Sequence, residues 1–194
     1  RNHRYPMNRL QKEILTGRYR PQPYVVFPKE KRNGGVRELV NATVRDKIVS
    51  RTAASELVRR HDRSFEPQSY AYRPGRGALK AVSAVERHCS KASHAVRADI
   101  LAFFDEMDHG ILRRQLQQRG ETEATIELLI GCADAARFDG VEKRQPHRGV
   151  PQGSPLAPVL SNIYLHPLDV ALNESHFCFA RYADDLVVLV GDAD

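Results

Sequence analysis

The chain has 194 residues, of which 41% are hydrophobic, and 30 lysines and arginines against 24 aspartates and glutamates give it a formal net charge of +6. This length can bury a substantial core, and a moderate positive charge is compatible with phosphate binding without requiring it. No run of about eighteen apolar residues predicts a membrane span, and the first residues lack the apolar core of a signal peptide. We therefore expect a globular cytoplasmic protein whose scattered cysteines are reduced core thiols: Cys89, Cys132 and Cys178.

The first forty residues combine basic and aromatic side chains in a predicted β-hairpin. Its two strands are expected at residues 25–27 and 37–40, joined through Asn33, Gly34 and Gly35, a sequence that favours a tight turn. Basic side chains crowd this segment: Arg18, Arg20, Lys29, Lys31, Arg32 and Arg37. Tyrosines and a phenylalanine lie between them, and this mixture suits phosphate contacts combined with base stacking.

Two helices with one buried face each are predicted next, over residues 45–60 and 78–91. Their expected buried positions are Ile48, Ala53, Leu57 and Val58 in the first, and Leu79, Val82, Val85 and Cys89 in the second. The segment between them is predicted to be a loop because Pro74 and Gly75 break helices. Its arginines, Arg73 and Arg76, could hold template phosphates or, nearly as well, bind carboxylates within the protein.

An acidic residue ends the next apolar run. Asp99 closes a β-like segment, the aromatic pair Phe103 and Phe104 follows, and Asp105 and Asp108 have the positions of helix-start residues. On its own, Asp99 could equally be an ordinary solvated acid at the end of a strand.

Three further helices are predicted between this acid and the last strands. Apolar spacing indicates one helix from residue 111 to about 120, another from 126 to about 138, and a third over 155–172. Gln152 and Gly153 precede the third helix, and the glycine lets the backbone approach a ligand closely. Alone, this Pro-Gln-Gly sequence would be only a turn before a helix.

The most informative motif is a pair of adjacent acids between two strand-like runs. Residues 177–180 and 186–190 predict a hairpin with Asp184 and Asp185 at its tip. Neighbouring carboxylates repel each other unless a cation is present, and their oxygens suit Mg²⁺, which often shares its coordination with substrate phosphates. The pair therefore indicates phosphoryl or nucleotidyl transfer, with Asp99 as a third ligand. Adjacent residues in an extended segment point in opposite directions, so we expect Asp184 to be the stronger ligand.

Four motifs, in this order along the chain, resemble those of reverse transcriptases. They are the basic N-terminal segment, Asp99 with its paired aromatics, the Pro-Gln-Gly loop, and the Tyr-Ala-Asp-Asp sequence at 182–185. Within that family the chain is most similar to the bacterial group II intron type and its group II-like relatives, including CRISPR-associated ones. The segments that carry this similarity are 15–23, 27–29, 44–49 and 70–77. The chain departs from the group II pattern at residues 40–43, where an Ile-Pro-Thr step is usual.

The resemblance implies an α+β right-hand polymerase fold. Fingers are expected at residues 1–94 and a palm at 95–194, with an antiparallel palm sheet backed by helices. Because the chain stops at Asp194, soon after the acid hairpin, we expect a fingers-palm fragment without a thumb, weak or inactive by itself.

The resemblance also implies RNA-templated DNA synthesis and assigns roles to individual residues. Two Mg²⁺ ions roughly 3.5–4 Å apart, replaceable by Mn²⁺, would be held by Asp99, Asp184, Asp185 and the carbonyl of Ile100. The implied dNTP-binding residues are Lys29, Lys31, Arg37, Phe104, Gln152 and Gly153. The implied template or primer contacts are Arg73, Arg76 and Tyr182. Phe104 matches the aromatic gate that fills the space of a ribose 2′-hydroxyl, which favours deoxynucleotides.

The expected partners are an RNA template, a DNA or RNA primer and dNTPs, and exposed palm surface would allow a homodimer. Two other functions stay open: a maturase-like RNA-binding protein that assists intron splicing, and an RNA-dependent RNA polymerase. The presence of all three acids favours an enzyme, and Phe104 argues against ribonucleotide use. A mobile intron, CRISPR spacer acquisition, phage defence and a domesticated host gene would all use this same core.

Overall fold

The computed structural model describes residues 7–30, 34–90 and 92–191. Helices and strands are mixed along these ranges, which confirms the α+β class. The chain forms two compact units, each built from two separate segments. The first unit comprises Arg1–Ser55 and Phe104–Ala157, and the second comprises Glu56–Phe103 and Pro158–Asp194.

The first unit contains a four-stranded sheet. Its strands are β1 (Tyr24–Glu30), β2 (Val36–Asn41), β4 (Arg137–Phe138) and β5 (Lys143–Arg144), in the order β2-β1-β4-β5. The β1–β2 hairpin is antiparallel, as predicted, whereas β4 runs parallel to β1. Tyr24 and Val26 point to one side of β1 and are buried with Val40 of β2, which forms a small core on that side of the sheet.

The described part of the first unit also contains helices. They are α1 (Met7–Leu15), α5 (His109–Gln118) and α6 (Glu123–Ala133), with most of α4 (Phe103–Glu106) and the first part of α2 (Val44–His61). Asp108 caps α5 as predicted, accepting a hydrogen bond from the Ile111 amide at 2.8 Å. The expectation that α6 continues to about Phe138 is wrong, because Arg137 instead pairs with Tyr24 of β1 and extends the sheet.

A buried carboxylate joins two parts of the first unit. Asp46 has no exposed surface, and it accepts hydrogen bonds from the Tyr19 hydroxyl at 2.7 Å, the Thr43 hydroxyl at 2.7 Å and the Gln22 amide at 3.1 Å. Arg45 donates to it at 2.9 Å. Burial raises the pKa of Tyr19, so this phenol stays protonated and available as a donor. The carboxylate thereby fixes the segment before β1 to the start of α2.

Replacing Asp46 by alanine should destabilise the chain by about 3 kcal/mol, because several buried donors lose their shared acceptor. Urea unfolding followed by circular dichroism measures this loss. The exposed Glu86→Ala change on the helix that follows residue 77 is the control and should stay within about 0.5 kcal/mol of the parent. Equal midpoints for the parent and Asp46→Ala would show that the donors find other acceptors.

The second unit contains a three-stranded antiparallel sheet. Its strands are β3 (His94–Asp99), β6 (Cys178–Tyr182) and β7 (Asp185–Val190), in the order β3-β7-β6. Helix α3 (Ala78–Cys89) packs against β6 and β7. Most of α7 (Ala157–Glu174) belongs to this unit as well. The predicted strand-turn-strand around the paired acids is confirmed.

The predicted buried face of α3 is wrong. Ala81 and Ala84 are buried, whereas Leu79 is 85% exposed and Val82 is 53% exposed. Small alanine side chains let the helix approach the sheet closely, and this rotates the larger residues outward. In α2, Ile48 is likewise exposed, while Leu57 is buried as expected.

The three cysteines are all free thiols, but only Cys132 is a core residue. Cys89 and Cys178 are exposed, which contradicts their assignment to the core. Among the described residues, no helix combines the length and the apolar character that crossing a bilayer requires.

Candidate active site

The turn between β6 and β7 places Asp184 at the tip of the acid hairpin. The two strands are joined by Ala183 and Asp184, and Ala183 has a φ of +59°, a conformation that non-glycine residues seldom adopt. Arg181 Nη1 donates a hydrogen bond to the Ala183 carbonyl at 2.9 Å. This hydrogen bond stabilises the strained turn.

Arg181 is itself fixed by a buried ion pair. Its side chain is 1% exposed, and Nε and Nη2 donate to the two carboxylate oxygens of Asp169 on α7 at 2.6 and 2.5 Å. Nη2 also donates to the Ser69 hydroxyl at 2.8 Å. A bidentate pair of this kind is strong and directional. These contacts of Arg181 therefore attach the tip of the acid hairpin rigidly to α7.

Two of the three acids predicted to bind metal lie on the same face of the sheet. Asp99 is the last residue of β3, and it stands directly opposite Asp185, the first residue of β7. Side chains of such cross-strand partners lie about 4.5–5.5 Å apart at Cβ. Tyr182 is the partner of Asp185 on the other side, in β6, so it shares this face.

Asp184 is close enough to the other acids to feel their charge. Its pKa is raised, first by burial and then by the negative charges of Asp99 and Asp185. A carboxylate whose pKa is raised by burial and by neighbouring acids is typical of functional sites. The three acids expected from the sequence are thus brought together, although their catalytic role stays a prediction.

Asp185 has a partner that the sequence did not suggest. Arg97 Nη2 lies 2.9 Å from Asp185 Oδ1, and the two side chains are 76% and 50% exposed. This ion pair raises the pKa of Arg97. An exposed pair contributes little free energy, so Asp185 can exchange Arg97 for a stronger ligand at small cost.

The acid site provides oxygen donors suited to a hard divalent cation. Ile100, whose carbonyl is the fourth predicted ligand, follows Asp99 directly and is half-buried. As the side chains stand, no group of three or more His, Cys, Asp or Glu residues in the described ranges is arranged to hold a metal ion. The carboxylate of Asp185, bound to Arg97, would have to reorient to complete such a set.

Tyr72 is a neighbour of the acids that sequence reasoning missed. It is a half-exposed residue with a φ of +61°. The pKa of Tyr72 is raised, chiefly by burial and further by the charges of Asp184 and Tyr182. The phenol therefore lies near both residues. The long separation along the chain gave no signal for this contact. A non-glycine residue in the left-handed region beside a candidate site is a frequent mark of function.

The two arginines predicted to contact template have different surroundings. Arg73 has a side chain that is only 4% exposed, and it donates to Asp62 Oδ1 at 2.8 Å and to the Ser69 carbonyl at 2.9 Å. Arg76 is less buried and lies over the ring of Tyr70, 5.6 Å from its centroid. Arg73 is therefore committed to holding its own loop, and a template role for either arginine stays a prediction.

The predicted nucleotide-binding residues that the structure describes lie in the first unit. Lys29 and Arg37 are cross-strand partners in the β1–β2 hairpin. Lys31 lies outside the described residues. Phe104 is half-buried on α4. Arg37 and Gln152 line one cavity of about 390 Å³.

The Pro-Gln-Gly loop is fixed to β2. The Val40 amide donates to the Gln152 carbonyl at 2.9 Å. Gly153 has a φ of +97°, and a Cβ atom there would lie 3.2 Å from the Val40 carbonyl oxygen. The glycine is therefore required both by conformation and by its close approach to β2.

The curated proteins that are similar to this chain include the following two. Protein YkfC of Escherichia coli (strain K12) is 30% identical over 174 residues, which cover 86% of this chain and 45% of that protein. The group II intron-encoded protein LtrA of Lactococcus lactis subsp. cremoris is 27% identical over 182 residues, covering 93% of this chain and 30% of LtrA. The chain thus spans less than half the length of these relatives.

A solved structure and a family model agree with these relatives. A partial Cas6-RT-Cas1–Cas2 complex contains a chain that matches 95% of this one with a TM-score of 0.59 and 24% identity, over 32% of its own length. That likeness supports a polymerase fingers-palm fold. The model described as reverse transcriptase (RNA-dependent DNA polymerase) matches residues 27–194. The chain therefore belongs to the reverse transcriptase family and, by its similarity to intron-encoded proteins, to the group II type.

Proposed function

We propose that this chain is the catalytic core of an RNA-directed DNA polymerase, which adds deoxynucleotides to a primer on an RNA template. One observation carries the proposal: Asp99 and Asp185 face each other at the ends of adjacent strands, with Asp184 in the turn beside them. Membership of the reverse transcriptase family supports it. In this reading residues 1–94 act as fingers and residues 95–194 as palm.

The acids would hold two divalent cations, Mg²⁺ or, in its place, Mn²⁺, together with the Ile100 carbonyl. When bound, such ions lower the pKa of the attacking 3′-hydroxyl and balance the charge of the pyrophosphate leaving group. The protein's own part is to fix the donors. Arg181 secures the turn that carries Asp184, and the pairing of β3 with β7 sets Asp99 opposite Asp185.

Nucleotide and template contacts complete the proposal. The triphosphate and base of a dNTP would be bound by Lys29, Lys31, Arg37, Gln152 and Gly153. The template and primer would meet Arg76 and Tyr182, with Arg73 supporting the loop. All six residues of β3 are exposed, and this surface favours a homodimer. The proposed setting is the cytoplasm.

Primer extension tests the function directly. A 5′-labelled DNA primer is annealed to RNA or DNA templates of equal sequence and incubated with dNTPs and Mg²⁺, using this chain and a longer version that continues beyond Asp194. We expect extension on RNA that stops when EDTA is added. Tight RNA binding without extension by either protein would reject the polymerase and favour a maturase-like role.

Phe104→Ala should let the enzyme use ribonucleotides about 10- to 100-fold more efficiently, because a gate of this kind discriminates by the space it leaves beside the sugar. The change removes only the ring, while the Phe104 carbonyl still accepts a hydrogen bond from the Val150 amide at 2.7 Å. The measurement is the ratio of kcat/KM for a dNTP to that for the matching NTP. An unchanged ratio would reject the gate and reopen the case for an RNA polymerase.

Phe103→Ala is the matched control. Phe103 is 5% exposed and packs edge-on against Tyr164, with ring centroids 5.9 Å apart. Its truncation should lower stability without changing sugar selection.

A further inference from the structure

A basic cavity in the first unit contains more arginines than the sequence analysis assigned to nucleotide binding. Its volume is about 390 Å³. The residues that line it include four arginines, two acids and the glutamine of the Pro-Gln-Gly loop: Arg37, Arg137, Arg144, Arg148, Glu38, Asp105 and Gln152. Positive side chains therefore outnumber negative ones around a concave space of ligand size.

Two of these arginines are already neutralised. Arg144 forms an ion pair with Glu38 across the sheet. Arg148 Nη1 lies 2.6 Å from Glu106 Oε2. These pairs leave Arg37 and Arg137 as the arginines that could supply net positive charge to the cavity.

Arg137 is the unusual member of the set. It is the cross-strand partner of Tyr24, which is 1% exposed, so the register of β4 turns it toward the buried side of the sheet. Its Nε and Nη2 atoms are shielded from solvent and have no hydrogen-bond partner among the described residues. Burial lowers the pKa of this arginine. A buried guanidinium with unpaired nitrogens costs stability, and such groups are rare in folded proteins.

Arg37 shares this lack of a partner. Within the described ranges it makes no side-chain hydrogen bond or ion pair. Asp105, the other acid that lines the cavity, accepts a hydrogen bond from Gln152 Nε2 at 3.3 Å. Arg37 starts from the face of the hairpin opposite Tyr24, whereas Arg137 starts from the face of Tyr24. Both residues nevertheless line the same cavity.

We propose that Arg137 is a phosphate-binding residue that, together with Arg37, holds the triphosphate of the incoming nucleotide in this cavity. The proposal rests on the proposed function, which assigns Arg37 and Gln152 to nucleotide binding. Guanidinium groups bind phosphate oxygens in bidentate fashion, and a triphosphate supplies the acceptors that Arg137 lacks. The cavity is open to solvent, and its volume of about 390 Å³ suits a small polyphosphate better than a continuous RNA strand, which needs a longer groove.

Equilibrium binding tests the proposal without any need for catalysis. Tripolyphosphate, dATP and deoxyadenosine are titrated by calorimetry, at fixed ionic strength, into the parent, Arg137→Gln, Arg137→Lys and Arg113→Gln. Arg113 is the control because it lies in the same unit, pairs with Glu123 and Glu127, and does not border the cavity. We expect Arg137→Gln to weaken tripolyphosphate and dATP by about 10-fold or more, the loss of a charged hydrogen bond. The affinity of Arg137→Lys for these ligands should lie between that of the parent and that of Arg137→Gln. The affinity of Arg113→Gln should match that of the parent.

Thermal unfolding separates a binding role from a structural one. If Arg137 is held for a ligand, Arg137→Gln removes a partly buried charge whose Nε and Nη2 atoms have no hydrogen-bond partner among the described residues. The melting temperature without ligand should then rise by about 2–4 °C. A residue that only stabilises the sheet would give a fall instead. The expected combination is therefore weaker phosphate binding with greater stability.

Three results would overturn the proposal. They are unchanged tripolyphosphate affinity in a folded Arg137→Gln variant, a lower melting temperature with all ligands weakened alike, and weakened binding of single-stranded RNA with tripolyphosphate binding intact. The last would assign Arg137 to the template strand. No arm depends on primer extension. Failure of extension by both the parent and the longer version, with tight RNA binding retained, would reject the polymerase function, while the tripolyphosphate titration would still decide whether Arg137 binds phosphate.

Discussion

Asp184→Asn should reduce primer extension by at least about 100- to 1,000-fold while leaving the chain folded. The amide keeps the shape of the side chain but removes the charge that would help bind the cations, and loss of one electrostatic stabiliser of a transition state costs that much in other enzymes. Single-turnover extension at saturating dNTP and Mg²⁺ measures the loss. Asp99→Asn should reduce primer extension by a similar factor, since Asp99 is the cross-strand partner of Asp185.

The same change should stabilise the protein at neutral pH. The raised pKa of Asp184 means that burial and the nearby acids disfavour its charged form in the folded chain. The group therefore costs no stability below the ordinary aspartate range, and its penalty appears as the pH rises through the raised pKa. Melting temperatures of the parent and Asp184→Asn should differ at pH 7 and converge in acid.

The control for Asp184→Asn is Asp139→Asn, on the loop between β4 and β5. Asp139 accepts hydrogen bonds from the Val141 and Glu142 amides, and these lower its pKa. Its neutralisation should cost a little stability and leave extension unchanged. If Asp184→Asn kept most of the parent activity, the acid hairpin could not be the catalytic centre.

The largest loss of stability is expected from Arg181→Ala, at about 3–5 kcal/mol. The substitution leaves Asp169, which has no exposed surface, as an unpaired buried carboxylate, and breaking one side of a buried ion pair typically costs this much. It also frees the Ala183 carbonyl and the strained turn before Asp184. Chemical denaturation should show the loss in both the midpoint and the extrapolated free energy of unfolding.

Arg97→Ala provides the contrast for Arg181→Ala. Its ion pair with Asp185 is exposed, so its removal should change stability by less than about 1 kcal/mol. Arg181→Lys keeps the charge but not the bidentate geometry. Its loss of stability should therefore lie between those of Arg97→Ala and Arg181→Ala. A loss for Arg181→Ala no larger than that for Arg97→Ala would mean that Asp169 is readily solvated once its partner is gone.

The sequence predicted the acid hairpin well because its signals are local. Strand-like runs on both sides of Asp184 and Asp185 can form only a few structures, and the β1–β2 hairpin had equally clear turn residues. The position of Asp99 at the end of a strand followed from the same alternation. What periodicity could not supply was the register that sets Asp99 opposite Asp185, which depends on the pairing of distant strands.

The errors come from places where tertiary contacts override local preference. The expected end of α6 fails because two residues near Phe138 add to the sheet of β1. The expected apolar face of α3 fails because alanines fit closer to the sheet than Leu79 does. Arg137 and Tyr72 gained significance only from neighbours more than one hundred residues away along the chain.

The interleaving of the two compact units has a consequence for protein synthesis. Within the described chain, β3 pairs only with β7, which emerges from the ribosome on the order of ten seconds later at typical elongation rates. During that interval, the strand that ends in Asp99 presents free backbone groups and Val96, features that invite pairing with other nascent chains. The face that carries Asp99 and Asp185 thus assembles only after β7 has been made. The yield of folded protein should therefore depend on slow growth or on chaperones that cover β3 during this interval.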